Sequence, residues 1–361
     1  MGEVGPLRYA VIEITNRCNL RCPHCASSSG RARPDELTLA ELQAVVRDIA
    51  ELGGEEITII GGEALLRQDW REVCRAVRSA GMKLLVLSNG VLLARNEPAL
   101  AALRELEPYL VGISIDGATP ESYRRLRGVD AFGPVVELCH RLVDDGHPHV
   151  NAITTFWRDN LHEFDALARL FADGEVVWQV QIANRGGERF ADAQFLSREQ
   201  YAWLARRMSD ILVAGGRLPG GGQVRLRPMD DFGYFPLDPA LGALLGDWHG
   251  CIAGVELCGI RSNGDVLGCL SLGDELVAGN VRRQGLRELW SSASAFGPLR
   301  RKEELLTGHC ARCAHAARCR GGCSAIAWSA TGTMGCNPYC LRQLETERIL
   351  GELGGARTTA G

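Results

Sequence analysis

The sequence predicts an α/β protein: a parallel sheet built from six strand–helix units, followed by a cysteine-rich domain. Three observations carry this. Residues 9–183 alternate short apolar runs with helix-period segments closed by caps and glycines. A Gly-rich stretch at 214–223, A-G-G-R-L-P-G-G-G-Q, interrupts the alternation. Beyond it, nine of the fourteen cysteines fall between positions 251 and 340. The expected divisions are 1–213 for the α/β core, 214–250 for a linker or bridging region, 251–345 for the cysteine-rich domain and 346–361 for a tail. Within that tail Gly354 to Gly361 lack apolar anchors and are expected to fray.

The units follow in order. Tyr9 to Thr15 alternates and reads as a buried first strand, ending at Thr15-Asn16-Arg17. Thr38 and Glu41 form a capping box for a helix that Gly53-Gly54 stops. Glu56 to Ile60 is the second strand and Trp70 to Ala80 its helix, closed by Gly81. Lys83 to Leu87 is the third strand, followed by a short helix from Pro98 to Leu106. Leu110 to Ile115 is the fourth; Thr119 then caps a helix with Pro120 at its first position, and another runs from Pro134 to Asp144. Val150 to Phe156 is the fifth, with Asn160 and Glu163 as the next capping pair. Val176 to Ile182 is the sixth, and Ser197 with Gln200 opens an amphipathic helix to about Val213. Strands of this kind join by right-handed crossovers, and the chemistry belongs on loops at their C-terminal ends. Residues 224–250 read ambiguously.

Composition narrows the function. A chain of 361 residues suffices for one large barrel-type domain and a smaller one. Apolar content of 46% and 23% charge are those of a globular protein, and a net charge of −4 offers no basic footprint for nucleic acid or anionic membrane. No window of about 20 apolar residues exists to span a bilayer. The start, M-G-E-V-G-P, has no secretion signal, and Pro6 breaks the myristoylation pattern. Fourteen cysteines in such a chain imply ligation in a reducing cytoplasm, not disulfides.

Cys18, Cys22 and Cys25 follow the first strand at C-x3-C-x2-C spacing. Three thiols so close can converge on one iron–sulfur cube and leave one of its four irons open, since the next cysteine is Cys74. A zinc site completed by His24 or Cys74 is the alternative. The spacing, its place after strand one, and His24 before the third cysteine resemble the radical S-adenosylmethionine (radical SAM) superfamily. The resemblance implies an open (β/α)6 partial barrel with a lateral mouth for substrate. It also implies that the open iron chelates the methionine end of SAM, whose cleavage yields a 5′-deoxyadenosyl radical that abstracts hydrogen from substrate.

Gly61-Gly62-Glu63-Ala64 after strand two is similar to the family's G-G-E-P motif, with Ala64 departing from it. The resemblance implies that Glu63 accepts a hydrogen bond from the SAM ammonium. Ser88-Asn89-Gly90 ends strand three and Ser114-Ile115-Asp116-Gly117 ends strand four, with Arg127-Gly128 beyond. Ser88, Asn89, Ser114, Asp116 and Arg127 are candidate SAM contacts by resemblance; Asn-Gly and Asp-Gly are equally turn formers. Gln179 and Gln181 share one face of strand six, with Asn184 and Arg185 past its end, to meet adenine or substrate or to face a polar lumen.

The second group contains C-x12-G-x4-C (Cys251, Gly264, Cys269), then C-x2-C-x5-C-x3-C from Cys310 to Cys323, then Cys340. This resembles the SPASM domain of certain radical SAM enzymes, which binds two auxiliary four-iron clusters; a zinc ribbon is the alternative. By resemblance Cys251, Cys258, Cys269 and Cys323 hold the first cluster, and Cys310, Cys313, Cys319 and Cys340 the second. Cys336 competes with Cys340, while Cys74 and Cys139 read as buried apolar residues. Clusters ligated by four thiols have no open iron and are suited to electron transfer.

The expected function is that of a radical SAM/SPASM oxidoreductase that modifies a ribosomal peptide or protein side chain. A dehydrogenase or epimerase of a small molecule such as an aminoglycoside sugar is the alternative. An iron–sulfur electron carrier is the non-enzymatic one, and it would not need Gly61-Gly62-Glu63. Leu270 follows Cys269 where sulfatase-maturating relatives place a catalytic Asp, which disfavours that role. About eight residues precede strand one, so a peptide-recognition module is expected as a separate protein. A reducing partner such as flavodoxin or ferredoxin is also implied.

Overall fold

The computed structural model describes residues 4–358 apart from 185–187, 230, 231, 233, 246 and 247. Arg185 therefore lies outside the described residues. The strands are β1 (Tyr9–Glu13), β2 (Glu56–Ile60), β3 (Lys83–Ser88), β4 (Leu110–Ser114), β5 (Val150–Phe156), β6 (Val177–Ile182), β7 (Arg225–Pro228), β8 (Leu257–Ile260), β9 (Asp265–Leu267) and β10 (Gly279–Asn280). They form one open sheet in the order β10-β9-β8-β1-β2-β3-β4-β5-β6-β7. Every pairing from β8 across to β7 is parallel, and β8-β9 and β9-β10 are antiparallel. The six expected strands are β1 to β6. Helices fill the connections between them, as parallel pairing requires.

Two features of the sheet lay outside the sequence reading. The ambiguous stretch supplies β7, whose R-L-R-P sequence alternates exposed and half-buried positions at the sheet edge. Arginine and proline suit an edge strand and mask a hydrophobic pattern. At the other edge the cysteine-rich region contributes β8 to β10, so the sheet runs continuously from core into C-terminal region. Glu13 at the end of β1 reinforces that join: it is buried and accepts from Ser262 N at 3.2 Å, Ser262 Oγ at 2.8 Å and Arg33 Nε at 3.2 Å.

Register sorts the two faces. Cys258, Ala10, Ile57 and Leu84 form one row across β8, β1, β2 and β3, and Ile260, Ile12, Ile59 and Val86 form the next on the same face. All eight are buried, in one core with the apolar faces of helices Leu39–Glu51 and Trp70–Ser79. Ile60 and Leu87, one residue out of phase, point to the opposite face, where a pocket opens.

Local signals were mostly realised. Reciprocal capping boxes form at Thr38/Glu41 and Ser197/Gln200, and Thr119 closes one with Ser122. The pair Asn160/Glu163 does not cap a helix. Asn160 instead accepts from Trp157 N at 2.9 Å and donates to Asp116 O at 2.9 Å and Thr155 O at 3.0 Å. Glu163 accepts from Ala118 N at 2.7 Å and Ser122 Oγ at 2.6 Å. Both side chains fasten the loop after β4, and the satisfied buried groups outweigh a cap. The segment expected as a tail continues helix Leu341–Thr358, pinned by Arg198 on Glu347 at 2.8 Å.

Asn160 is fully buried. Asn160→Ala strands three backbone groups, so a loss of about 2–3 kcal/mol is expected in denaturant unfolding; an unchanged midpoint would contradict the bonding described.

Candidate active site

The site begins with two glycines. Gly62 N donates to Thr15 O at 2.9 Å and Glu63 N to Arg17 O at 2.8 Å, so the end of β2 straps the cysteine loop to the sheet. A Cβ on Gly61 would lie 2.5 Å from Thr15 O; one on Gly62 would lie 2.6 Å from Arg17 O and 2.7 Å from the Cys18 Cβ. No side chain fits without moving the loop. On its other side Gly30 N donates to Asn16 O at 3.0 Å and Cys18 N to Gly30 O at 3.2 Å. Amides also point at sulfur: Leu20 N at 3.3 Å from Cys18 Sγ and Ser29 N at 3.4 Å from Cys25 Sγ. Burial pushes the Cys18 thiol up to about 11. Burial would raise Cys25 too, but bonds from Ser27 and Ser29 bring it below its usual value.

Cys18, Cys22 and Cys25 all line one pocket of about 280 Å³ at the C-terminal ends of the strands. Gly61, Gly62, Ser88, Asn89, Ser114 and Arg127 line it with them, as do Gln181 and Asn184. Glu63 stands behind the pocket wall. It is 1% exposed and accepts from Ser88 Oγ at 2.9 Å, Asn89 N at 2.8 Å and Leu65 N at 3.4 Å. Burial raises its pKa. Here it positions Ser88 and Asn89, and Asn89 in turn donates to Asn19 Oδ1 at 2.8 Å in the cysteine loop. Gln179 is bonded to Asn151 at 2.9 Å, and Gln181 to Thr155 Oγ1 at 2.9 Å. A larger cleft of about 710 Å³ lies at the strands' opposite ends, beside Lys83, Tyr109 and Pro148; no cysteine lines it, and that end of such folds carries stability rather than chemistry.

Asp116 is the second buried anchor. Its Oδ2 accepts from Arg127 Nη1 at 2.8 Å and lies 2.9 Å from His24 Nε2, while Oδ1 accepts from Thr155 N at 2.9 Å. Burial alone would raise this carboxyl; His24, Arg127 and the Thr155 amide together hold it below the usual carboxylate range. The His24 ring packs edge-on against Trp157 at 3.9 Å. Among the described residues, Arg127 Nε and His24 Nδ1 are buried with no hydrogen-bond partner, although both residues line the pocket. Orphaned polar atoms at a pocket wall are what a polar ligand completes.

The chemistry of the donor set fits an iron–sulfur cube. Among the described residues, the groups bringing three ligand atoms within 4.8 Å of one another are His309 with Cys310 and Cys336, and His140 with Asp173 and Glu175. The Cys18, Cys22, Cys25 set is not one of them, so its three sulfurs do not all lie within that distance of one another.

In the C-terminal region Cys340 neighbours Cys319, Cys310 and Cys313, and burial first, then these thiols, push it up to about 12. Cys336 lies 3.3 Å from His309 Nδ1. Cys258 is fully buried in the sheet row opposite Ala10. Cys74 and Cys139 are fully buried in helices, each pushed up to about 12 by burial.

The sequence reading missed Thr155 and Ser271, which also line the pocket. Thr155 had a signal, a polar residue near the C-terminal end of an apolar strand; Ser271 had none, because it arrives from the cysteine-rich region through the β8–β1 pairing.

Gly62→Ala is expected to leave reconstituted protein short of about four irons while the auxiliary clusters load. Full iron content would show that the strap tolerates a methyl group.

Residues 12–171 match the radical SAM superfamily, and residues 251–314 match SPASM, an iron-sulfur cluster-binding domain. Mycofactocin maturase MftC of Mycolicibacterium smegmatis is 31% identical over 350 residues, covering 93% of this chain and 84% of the relative. AdoMet-dependent heme synthase of Methanosarcina barkeri is 30% identical over 344 residues, covering 92% and 96%. In fold the chain is similar to SuiB of Streptococcus suis bound to S-adenosylmethionine, with TM-score 0.72, 17% identity, and coverage of 94% of this chain and 76% of that one. The chain therefore belongs to the radical SAM superfamily and carries its SPASM iron–sulfur domain.

Proposed function

We propose that the protein reductively cleaves SAM in the three-cysteine pocket and abstracts hydrogen from a ribosomal peptide or protein side chain. The observation that carries this is the convergence of Cys18, Cys22 and Cys25 on one pocket with Arg127 Nε and His24 Nδ1, which have no hydrogen-bond partner among the described residues. Cys18, Cys22 and Cys25 would hold a four-iron cluster, which would supply the one electron that splits SAM into methionine and a 5′-deoxyadenosyl radical. Gly61 and Gly62 let backbone approach the ligand, and Arg127, fixed by Asp116, offers Nε to a carboxylate. Glu63 acts through Ser88 and Asn89. Ser114, Gln181 and Asn184 supply polar contacts toward the barrel mouth. Cys310, Cys313, Cys319 and Cys340 would hold an auxiliary cluster, which would take up the electron left when the substrate radical is oxidised.

Similarity to mycofactocin maturase supports a peptide substrate, met with a separate peptide-recognition protein and a flavodoxin or ferredoxin as reductant. The fourteen free cysteines suit a reducing compartment such as the cytoplasm. No helix among the described residues is long and apolar enough to cross a membrane. A small-molecule substrate is the second reading, favoured by the heme synthase relative, of which the chain covers 96%.

Anaerobic reconstitution is expected to give about twelve irons per chain in three cubes; stoichiometric zinc with little iron would reject the cluster assignment. With reductant and SAM the protein is expected to form 5′-deoxyadenosine, and the triple variant Cys18→Ala, Cys22→Ala, Cys25→Ala to form none while keeping its auxiliary iron. Persisting cleavage in that variant would place SAM elsewhere. A short peptide encoded beside the gene is expected to stimulate cleavage and lose two hydrogens by mass; stimulation by a heme precursor or an aminoglycoside sugar would favour the second reading.

A further inference from the structure

Residues 188–190, in the segment that follows β6, fold over the cysteine loop. Glu188 N donates to Ser28 Oγ at 2.8 Å, and Arg189 Nη2 donates to Ser29 O at 2.6 Å. Phe190 stacks on Trp157 with ring centroids 5.6 Å apart, and Trp157 is the ring that meets His24 edge-on. Leu126, Trp157, Ala183 and Phe190 form a small buried cluster of their own, which fixes the segment in place.

Ser29 links this segment to the thiols. Its carbonyl accepts from Arg189, and its amide points at Cys25 Sγ at 3.4 Å. Gly30 follows, and its carbonyl accepts from Cys18 N at 3.2 Å. Arg189 therefore grips the stretch that touches both ends of the cysteine loop. The rest of its guanidinium is unsatisfied: Nε and Nη1 are buried and have no hydrogen-bond partner among the described residues. Its bond to Ser29 goes to a neutral carbonyl, whereas Arg127 is neutralised by Asp116 at 2.8 Å. A guanidinium cannot shed its proton to escape burial, so a charge placed this way is tolerated only near an anion. The negative charge at hand is that of Cys18, Cys22 and Cys25 once they become thiolate ligands.

We propose that Arg189 is a positioning residue for the SAM-binding cluster: it holds the Ser29–Gly30 return of the cysteine loop, and its charge raises the potential at which that cluster is reduced. The inference rests on the reading that Cys18, Cys22 and Cys25 hold a four-iron cluster. Reduction moves one electron from a flavodoxin- or ferredoxin-type donor to the cluster and adds one negative charge there. A fixed cation nearby favours the more negative product, because cluster potential follows local charge and hydrogen bonding. Arg127 contributes less to this balance, since the Asp116 carboxylate cancels its charge. The segment after β6 thus adjusts how strong a reductant the enzyme needs, without itself lining the SAM pocket.

The test uses the full reconstituted chain with all its clusters, reduced stepwise without oxygen and followed by EPR. The SAM-binding cluster is recognised as the one whose signal shifts when SAM is added. In Arg189→Gln the ratio of reduced to oxidised SAM-binding cluster at a fixed potential is expected to fall about tenfold, a drop of about 59 mV for one electron. The auxiliary clusters are expected to keep their potentials. Arg189→Lys, which retains the charge, is expected to recover most of the drop. An unchanged potential in Arg189→Gln, or a Lys variant as low as the Gln variant, would overturn the proposal. So would weaker SAM binding at an unchanged potential, which would make the SAM carboxylate the partner of Arg189. Should Arg189→Gln load no SAM-binding cluster, Arg189→Lys decides alone: a potential close to that of the unsubstituted protein supports the role of the charge, and a tenfold fall rejects it. Absence of any SAM-responsive signal in the unsubstituted protein would instead reject the three-thiol cluster on which the inference rests.

Discussion

Everything at the active site depends on the two backbone hydrogen bonds that tie Gly62 to Thr15 and Glu63 to Arg17. They join the end of one strand to the loop leaving its neighbour, at a distance only glycine allows. The loop's thiols are placed by this strap together with the packing of Leu20, Cys22 and His24. Glu63 extends the constraint to β3 through Ser88 and Asn89, and Asn89 returns it to the loop at Asn19. Three strand ends and one loop therefore move as a unit. A carboxyl group buried behind the pocket, with every bond directed at a neighbour, is a positioning device whose removal would leave donors unsatisfied.

Asp116 plays the corresponding part on the other wall. It collects His24 from the cysteine loop, Arg127 from the helix after β4 and the Thr155 amide from β5. Asn160, recruited from the next connection, closes the same loop from outside. Both buried carboxylates act through other groups, and the surfaces presented to a ligand are the thiols, the glycines and the polar edges that these carboxylates orient.

The α/β class, the six strands and the three-cysteine loop were legible because each is written in contiguous residues. Alternating Tyr9–Glu13, the Thr38/Glu41 box and C-x3-C-x2-C all act over a few positions. What escaped depends on contacts distant in sequence. Asn160 and Glu163 have the right spacing for a cap, but two loops compete for their side chains more effectively than a helix end does. Cys258 reads as a cluster ligand, and the strand register that pairs it with Ala10 is not visible in the sequence. β7 was hidden because an edge strand bearing Arg225, Arg227 and Pro228 has no apolar face to announce it.

The union of β1 with β8 has a consequence for biosynthesis. Glu13 and Ser262 are bonded across 249 residues of chain. Until the ribosome has released the C-terminal third, β1 is an open edge of parallel sheet, its amides and carbonyls unpaired on one side. The nascent barrel is thus a late-closing structure with an adhesive flank, prone to pair with other chains at ordinary cellular concentrations. Pairing of β8 with β1 then does more than complete the sheet, since it covers that flank. Substitutions that weaken the C-terminal region would accordingly be felt first as aggregation of the nascent α/β core.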